Sequence, residues 1–206
     1  MVAKGKAKAV AEPGFWNIAN QVTLFRVFMV FAALYLASLQ GAFLLNLFGV
    51  ALIPLAFALD AVDGFIARKF GAATRFGSFF DVFGDRVTEL TLWIFFLSTN
   101  AVPFWAVLVV VLRGLATDAV RAEALSKGKT VYGMMESGAG KAFVSSRFMR
   151  GFYGAAKAVL FTLLAFAHAF QAPLLAQPIG YLVFLVVALN LLRGYPVLAE
   201  GSRFFH

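Results

Sequence analysis

The chain has 206 residues, of which 62% are hydrophobic and only 14% are charged, and its formal net charge is +8. Soluble domains carry about 25% charged residues, so this composition indicates a membrane protein. One compact bundle fits the length, because a transmembrane helix takes about 20 apolar residues. The lack of cysteine excludes disulfides, thiolate metal sites and a cysteine nucleophile. On so apolar a chain, basic residues set topology or contact anionic lipid, so we expect no nucleic-acid partner.

Three stretches contain no charged residue: 27–59, 90–112 and 158–192. Polar or helix-breaking residues interrupt each stretch near its middle, which predicts two helices joined by a neutral turn. The chain is therefore expected to be an all-α integral membrane protein with six transmembrane helices. We place these near residues 22–40, 42–63, 79–98, 101–125, 148–170 and 176–195.

The basic residues indicate how the chain is oriented. All 18 lysines and arginines lie outside the three neutral turns. Because cytoplasmic loops are enriched in lysine and arginine, we expect both termini and the loops near 64–78 and 126–147 on the cytoplasmic side of the cell (inner) membrane. Polar residues separate the basic start from the first apolar run, which argues against a secretory signal.

The N-terminal region divides into two parts. Residues 1–12 are expected to form a flexible basic segment, and residues 13–206 the six-helix membrane domain. The segment 13–20 places aromatic residues among polar ones. It is expected either to lie along the cytoplasmic interface as a short amphipathic helix or to serve as an aromatic anchor.

The middle uncharged stretch is too short for two full spans, so charged residues must enter the membrane zone. Asp81, Asp85 and Glu89 follow one another at one-turn intervals on one helix face, and Arg113 enters from the next helix. Ionisable groups at that depth cost several kcal/mol unless they face a polar cavity or partners, so they are candidates for function. For Glu89 an ion pair with Arg86 or Arg113 is an equally good interpretation.

Four aspartates gather at the junction of the second and third predicted helices. Asp60 and Asp63 are three residues apart on one helix, and Asp81 and Asp85 are four apart on the next. Each pair shares a helix face, so four carboxylates can converge near the cytoplasmic boundary. Converging carboxylates repel one another and favour a divalent cation. Oxygen-only ligands select Mg²⁺, Mn²⁺ or Ca²⁺ over zinc or copper.

Three further residues suit a diphosphate beside these acids. Gly64 and Gly77 let a bulky ligand approach the helix backbone, and Arg68 offers a fork suited to phosphate oxygens. The complete pattern, D-x2-D-G-x2-A-R-x8-G-x3-D-x3-D over residues 60–85, resembles the signature of the CDP-alcohol phosphotransferase family.

That resemblance implies an enzyme and a division of roles. A phosphatidyl group would pass from CDP-diacylglycerol to an alcohol acceptor, with release of CMP, in a homodimer that uses two Mg²⁺ or Mn²⁺ ions. Asp60, Asp63 and Asp81 would hold the metals, while Asp85 would complete the second metal site and act as the general base. The CDP moiety would lie against Gly64, Ala67, Arg68 and Gly77.

A second, shorter pattern precedes the first long apolar run. Asn20, Thr23 and Arg26 are spaced as N-x2-T-x2-R, which is similar to the family's opening pattern beside the nucleotide. The alternative for Arg26 is an ordinary interfacial anchor.

Cations of the later helices indicate what the acceptor is. Arg113 and Arg121 share one face of the fourth helix, Arg150 begins the fifth and Lys157 lies within it. If they converge on the aspartates, they suit a phosphorylated acceptor, such as glycerol 3-phosphate or inositol phosphate, better than unphosphorylated serine or inositol. The opening pattern resembles members that make phosphatidylglycerophosphate, whereas Arg86 after the last aspartate resembles the inositol-phosphate branch.

Two other classes compete with this interpretation. Membrane prenyltransferases also use aspartates and Mg²⁺, but their two acidic motifs lie far apart in sequence. A small transporter or channel would explain six helices and buried charges, yet it leaves Gly64, Arg68 and Gly77 without a role.

Single cysteines test the predicted topology directly, because the chain has none of its own. Gln40→Cys, Asn100→Cys and Gln171→Cys should react with a membrane-impermeant maleimide only from the non-cytoplasmic side. Ala73→Cys should react only from the cytoplasmic side. The reverse labelling pattern would overturn the orientation.

Overall fold

The computed structural model describes residues 18–39, 41–70, 75–127 and 146–201, with side chains described except at 18–19, 61–70, 75–76, 78, 125 and 147. Six long helices account for most of this part of the chain. They are α1 (Ile18–Ala37), α2 (Phe43–Phe70), α3 (Arg75–Ser98), α4 (Phe104–Ser126), α5 (Arg147–Phe170) and α6 (Ala176–Gly201), with a 3₁₀ turn at Pro173–Leu175.

The six predicted helices are confirmed, with one correction between α2 and α3. The segment 64–78 was expected to be a loop, but α2 continues to Phe70 and α3 begins at Arg75. Ala67, Arg68 and Lys69 are good helix formers, so the helix extends past its apolar part. The expected flexible segment 1–12 and most of the segment 13–20 lie outside the described residues, while positions 18–20 belong to α1.

Four helices are long and apolar enough to cross a membrane. Their apolar parts are Asn20–Ala37, Phe43–Asp60, Phe148–Phe170 and Pro173–Gly201. Both α3 and α4 are as long but carry several charged residues, so they are less apolar than these four helices. These helices support a membrane protein, and the count of six spans stays a prediction.

The three neutral turns each contain a residue with left-handed backbone conformation. These residues are Gly41, Asn100 and Gln171, with φ of 74°, 57° and 50°. Glycine and asparagine adopt this conformation most readily, which fits their use in tight turns between helices. The turns predicted from the interrupted apolar stretches are confirmed.

Close packing of α1 against α2 depends on a glycine. A Cβ atom at Gly49 would lie 2.7 Å from both the carbonyl oxygen of Ala33 and the amide nitrogen of Ala37. Small residues allow such backbone approach between membrane helices. Aromatic side chains fill the core beyond this contact, where Trp93 packs edge-on against Phe161 at a centroid distance of 5.3 Å.

Polar and apolar side chains are distributed as in a membrane protein. Phe28, Leu44 and Tyr181 expose 64%, 76% and 75% of their surface. Lipid provides an apolar environment for such residues, so their exposure costs little in a bilayer. Arg26 of α1 instead faces Asp60 of α2 and Asp81 and Asp85 of α3, and this arrangement forms the candidate site.

Candidate functional site

One buried arginine joins three aspartates from two other helices. Arg26 on α1 is 3% exposed. Its Nη1 donates a hydrogen bond to Oδ1 of Asp60 on α2, and its Nη2 lies 2.6 Å from Oδ1 of Asp85 and 3.7 Å from Oδ1 of Asp81 on α3. We call Asp60, Asp81 and Asp85 the aspartate cluster. A charge this deeply buried requires such partners, so the interaction ties the three helices together at one point.

A second glycine lets α3 approach α1 at this point. A Cβ atom at Gly84 would overlap the methyl group of Thr23, which lies one turn before Arg26. The absence of a side chain at Gly84 therefore brings the neighbouring Asp85 within reach of Arg26. Sequence reasoning missed Gly84. The available signal was a glycine inside a predicted helix, where it costs roughly 1 kcal/mol relative to alanine unless packing requires it.

The aspartate cluster fits a divalent cation. One carboxylate oxygen from each of its three members lies within 4.8 Å of the others. The side chains of Asp60 and Asp85 are 38% and 48% exposed, so the oxygens remain accessible. Three carboxylates outweigh the single charge of Arg26 when all are ionised. Oxygen ligands with excess negative charge suit Mg²⁺ or Mn²⁺, as the sequence predicts.

Three of the four predicted metal ligands are thus brought together. The side chain of Asp63 lies outside the described residues, as do those of Ala67 and Arg68. Gly77 lies on α3 one turn before Asp81. The predicted roles of these residues and of Gly64 toward metal and nucleotide stay predictions.

The short N-terminal pattern forms a buried polar face on α1. Asn20, Thr23 and Arg26 are 4%, 3% and 3% exposed, and spacing of three residues places them along one side of the helix. The interpretation of Arg26 as an interfacial anchor is wrong, because its guanidinium is buried among carboxylates instead of lying at a surface. The proximity of Asn20, Thr23 and Arg26 to a nucleotide stays a prediction.

A second group of charges lies beside the aspartate cluster and begins at the next residue of α3, Arg86. We call it the cationic cluster. It contains the cations Arg86 of α3, Arg113 and Arg121 of α4, Lys157 of α5 and Arg193 of α6, with the acids Glu89 and Asp118. Because Asp85 and Arg86 are adjacent in sequence, the two clusters meet on α3.

Glu89 connects α3 with α5 within the cationic cluster. Its carboxylate lies 3.3 Å from Nζ of Lys157 and 3.7 Å from Nη1 of Arg86. It also accepts a hydrogen bond of 3.3 Å from the hydroxyl of Tyr153. The predicted pair with Arg86 is confirmed. Lys157 forms the closer pair, and the described ion pairs do not include one between Glu89 and Arg113.

Tyr153 extends this network to α6. Its hydroxyl accepts a hydrogen bond of 2.9 Å from Nδ2 of Asn190, which is 1% exposed. Nζ of Lys157 and Cζ of Arg193 lie 4.7 and 5.0 Å from the centre of the Tyr153 ring, within the range of cation–π attraction. Sequence reasoning missed Tyr153, Asn190 and Arg193. An asparagine deep in an apolar span was the available signal.

Arg113 enters the cationic cluster beside a glycine. A Cβ atom at Gly194 would overlap the Arg113 side chain, so the glycine makes room for it. The buried Nε of Arg113 has no hydrogen-bond partner among the described residues. Three of the four predicted acceptor cations therefore lie in one cluster: Arg113, Arg121 and Lys157. Arg150 lies two turns before Lys157 on α5.

Comparison with known proteins shows to which family the chain belongs. A family model described as CDP-alcohol phosphatidyltransferase matches residues 16–192. The chain belongs to the CDP-alcohol phosphatidyltransferase family. The resemblance inferred from the aspartate pattern is thereby confirmed, and the match extends from α1 into α6.

Individual relatives differ in their acceptors. The chain is 28% identical over 127 residues to the CDP-diacylglycerol–glycerol-3-phosphate 3-phosphatidyltransferase of Bacillus subtilis, covering 56% of this chain and 66% of that protein. Identity is 27% over 173 residues to the CDP-diacylglycerol–inositol 3-phosphatidyltransferase of Saccharomyces cerevisiae, covering 82% and 72%. It is 31% over 122 residues to the archaetidylinositol phosphate synthase of Pyrococcus horikoshii, covering 58% and 62%. The chain thus spans about two thirds of the length of each of these relatives.

Arg26→Gln should lower the thermal stability of the detergent-solubilised protein in the presence of EDTA. The substitution leaves three carboxylates facing one another without their cationic partner, and half-exposure of the aspartates limits the cost to about 1–3 kcal/mol. Mn²⁺ should recover part of the loss, because it supplies positive charge to the same oxygens.

Lys127→Gln is the matched control. Lys127 pairs with Glu123 at 3.3 Å at the C-terminal end of α4, where both side chains are partly exposed and such a pair contributes about 0.5 kcal/mol or less. Melting temperatures measured with and without Mn²⁺ decide the matter. An Arg26→Gln protein as stable as the wild type in EDTA would contradict the proposed tie between the helices.

Proposed function

We propose that this protein transfers a phosphatidyl group from CDP-diacylglycerol to the hydroxyl of a phosphorylated alcohol, with release of CMP. One observation carries the proposal: the aspartate cluster and the cationic cluster adjoin on α3, at Asp85 and Arg86. An acidic site suited to metal and diphosphate thus lies beside a basic site suited to a second phosphate. Family membership supports the reaction class, and the names of the Bacillus and yeast relatives support the CDP-diacylglycerol donor.

Asp60, Asp81 and Asp85, together with Asp63 by its place in the pattern, are the proposed ligands of two Mg²⁺ or Mn²⁺ ions. When bound, the ions would offset the negative charge of the diphosphate and of the departing CMP. The carboxylate oxygens of Asp60, Asp81 and Asp85 lie close enough together to support this role.

Asp85 is the proposed general base. An alcohol is almost wholly protonated at neutral pH, so its proton must leave as the oxygen attacks phosphorus. The new oxygen–phosphorus bond forms, the bond to CMP breaks, and the proton passes to a carboxylate oxygen of Asp85. The position of Asp85 at the boundary between the clusters supports this role, because the acceptor hydroxyl must reach the donor's phosphorus there.

The nucleotide is proposed to lie along α1 and the adjoining turns of α2 and α3. The shared buried face of Asn20, Thr23 and Arg26 supports a binding role for the N-x2-T-x2-R pattern. The remaining proposed contacts, assigned by the family pattern, are Gly64, Ala67, Arg68 and Gly77.

An excess of positive charge favours a phosphorylated acceptor. The cationic cluster contains five basic side chains and two carboxylates. A phosphate dianion would balance most of that excess, whereas serine or inositol would leave it uncompensated in a partly desolvated site. Arg113, Arg121 and Lys157 are proposed acceptor residues on this ground, and Arg150 by its position on α5. Glycerol 3-phosphate and inositol phosphate are the candidate acceptors, and an unphosphorylated alcohol is the alternative.

The membrane arrangement forms part of the proposal. Six spans follow from the three uncharged stretches and their interruptions, and cytoplasmic termini with a cytoplasmic active site follow from the distribution of lysine and arginine. A homodimer follows from the family resemblance alone, and the protein mass measured by light scattering in detergent tests it.

A CMP-release assay on purified protein tests the function. With CDP-diacylglycerol and Mn²⁺, glycerol 3-phosphate or inositol phosphate should release CMP, while glycerol and inositol should not. Asp85→Asn keeps the side-chain size but removes the base, so turnover should fall by about 100-fold or more. Binding of CDP-diacylglycerol should largely survive.

Glu123→Gln serves as the control, because Glu123 pairs only with Lys127 among the described ion pairs and lies outside both clusters. It should leave turnover unchanged. Full activity in excess EDTA would refute the metal site. Release of CMP with neutral acceptors alone would refute the phosphorylated acceptor.

A further inference from the structure

One carboxylate on α4 holds two arginines from two helices. Both oxygens of Asp118 accept hydrogen bonds from Arg86 of α3, with Nε–Oδ2 and Nη2–Oδ1 distances of 2.8 Å. Oδ1 also lies 3.7 Å from Nη1 of Arg121, one turn along α4. Two parallel hydrogen bonds set the plane of a guanidinium group as well as its position. Asp118 therefore determines where Arg86 points.

The side of the Arg86 guanidinium that faces away from Asp118 carries further N–H donors. Its bonds to Asp118 use Nε and Nη2, so Nη1 faces Glu89 at 3.7 Å and Gly114. A Cβ atom at Gly114 would lie 3.1 Å from that nitrogen, so the glycine keeps space around it. The Arg86 guanidinium has five N–H donors, more than the Asp118 carboxylate engages.

Asp118 faces two positive charges with one negative charge. Glu89, 3.7 Å from Arg86, offsets part of the excess, and the like charges of the two arginines still repel each other. Such a cost is offset when an anion binds between them. The pair is also partly accessible, since the side chains of Arg86 and Asp118 are 26% and 35% exposed.

We propose that Asp118 is a positioning residue of the acceptor site. It aligns Arg86 and Arg121 as a preformed clamp for the phosphate group of the acceptor, and thereby sets the preference for a phosphorylated over an unphosphorylated alcohol. The inference rests on the proposed function, which it extends to a residue that does not itself touch the substrate.

Asp118→Asn distinguishes positioning from simple charge balance by the sign of its effect. If Asp118 only balanced charge, its neutralisation would leave more positive charge and tighten anion binding. If it positions the arginines, the amide loses one acceptor and turns an N–H group toward them, so binding weakens. We expect the dissociation constant for inorganic phosphate, measured by calorimetry, to rise about tenfold or more.

Kinetics provide the second readout. The KM for the phosphorylated acceptor should rise in parallel, while kcat at saturating acceptor and the KM for CDP-diacylglycerol stay within about twofold. Asp118→Glu should recover part of the loss, because it restores a carboxylate. Glu123→Gln removes a carboxylate from the same helix outside the cluster and should change neither constant.

Each outcome decides one claim. Unchanged or tighter phosphate binding by Asp118→Asn overturns the inference, as does a wild-type protein that binds no phosphate. An equal loss in every kinetic constant, together with a lower melting temperature and no recovery by Asp118→Glu, assigns a structural role instead and also overturns it. Absence of CMP release by a wild-type protein that binds phosphate refutes the proposed function separately, while the calorimetric comparison still tests Asp118.

Discussion

The contact between Arg26 and the aspartate cluster organises the rest of the site. A buried guanidinium must find carboxylate partners, and here α2 and α3 supply them. That requirement sets the distance between α1 and α3, which Gly84 makes possible by leaving no side chain against Thr23. Because the three helices converge where their polar residues lie, the rest of the bundle can present apolar side chains outward.

Two clusters of opposite charge then share one helix. On α3, Asp81 and Asp85 face Arg26, while Arg86 and Glu89 turn toward α4 and α5. Group transfer between a metal-bound diphosphate and an anionic acceptor needs such adjacent but distinct environments. Under the proposed function both substrates carry negative charge, so cations on each side would offset their repulsion before the reacting atoms meet.

The sequence predicts most of the architecture, but few of the contacts between helices. Uncharged stretches and their interruptions predict six helices and three turns, because hydropathy and turn chemistry are local. Spacing on α3 likewise predicts that Asp81 and Asp85 share a face. The partners of Arg26, the pairing of Arg86 with Asp118 and the hydrogen bond from Asn190 to Tyr153 depend on which helices pack together. Nothing in the local pattern encodes that choice.

Direct measurement of Mn²⁺ binding by electron paramagnetic resonance tests the central claim, that the aspartate cluster is a divalent metal site. The wild-type protein should bind Mn²⁺, and Asp81→Asn should weaken that binding by about tenfold or more, since each ligand and its surroundings contribute strongly to affinity. Glu123→Gln should leave it unchanged. Equal Mn²⁺ affinity in the wild-type and Asp81→Asn proteins would show that the three carboxylates meet for some purpose other than holding metal.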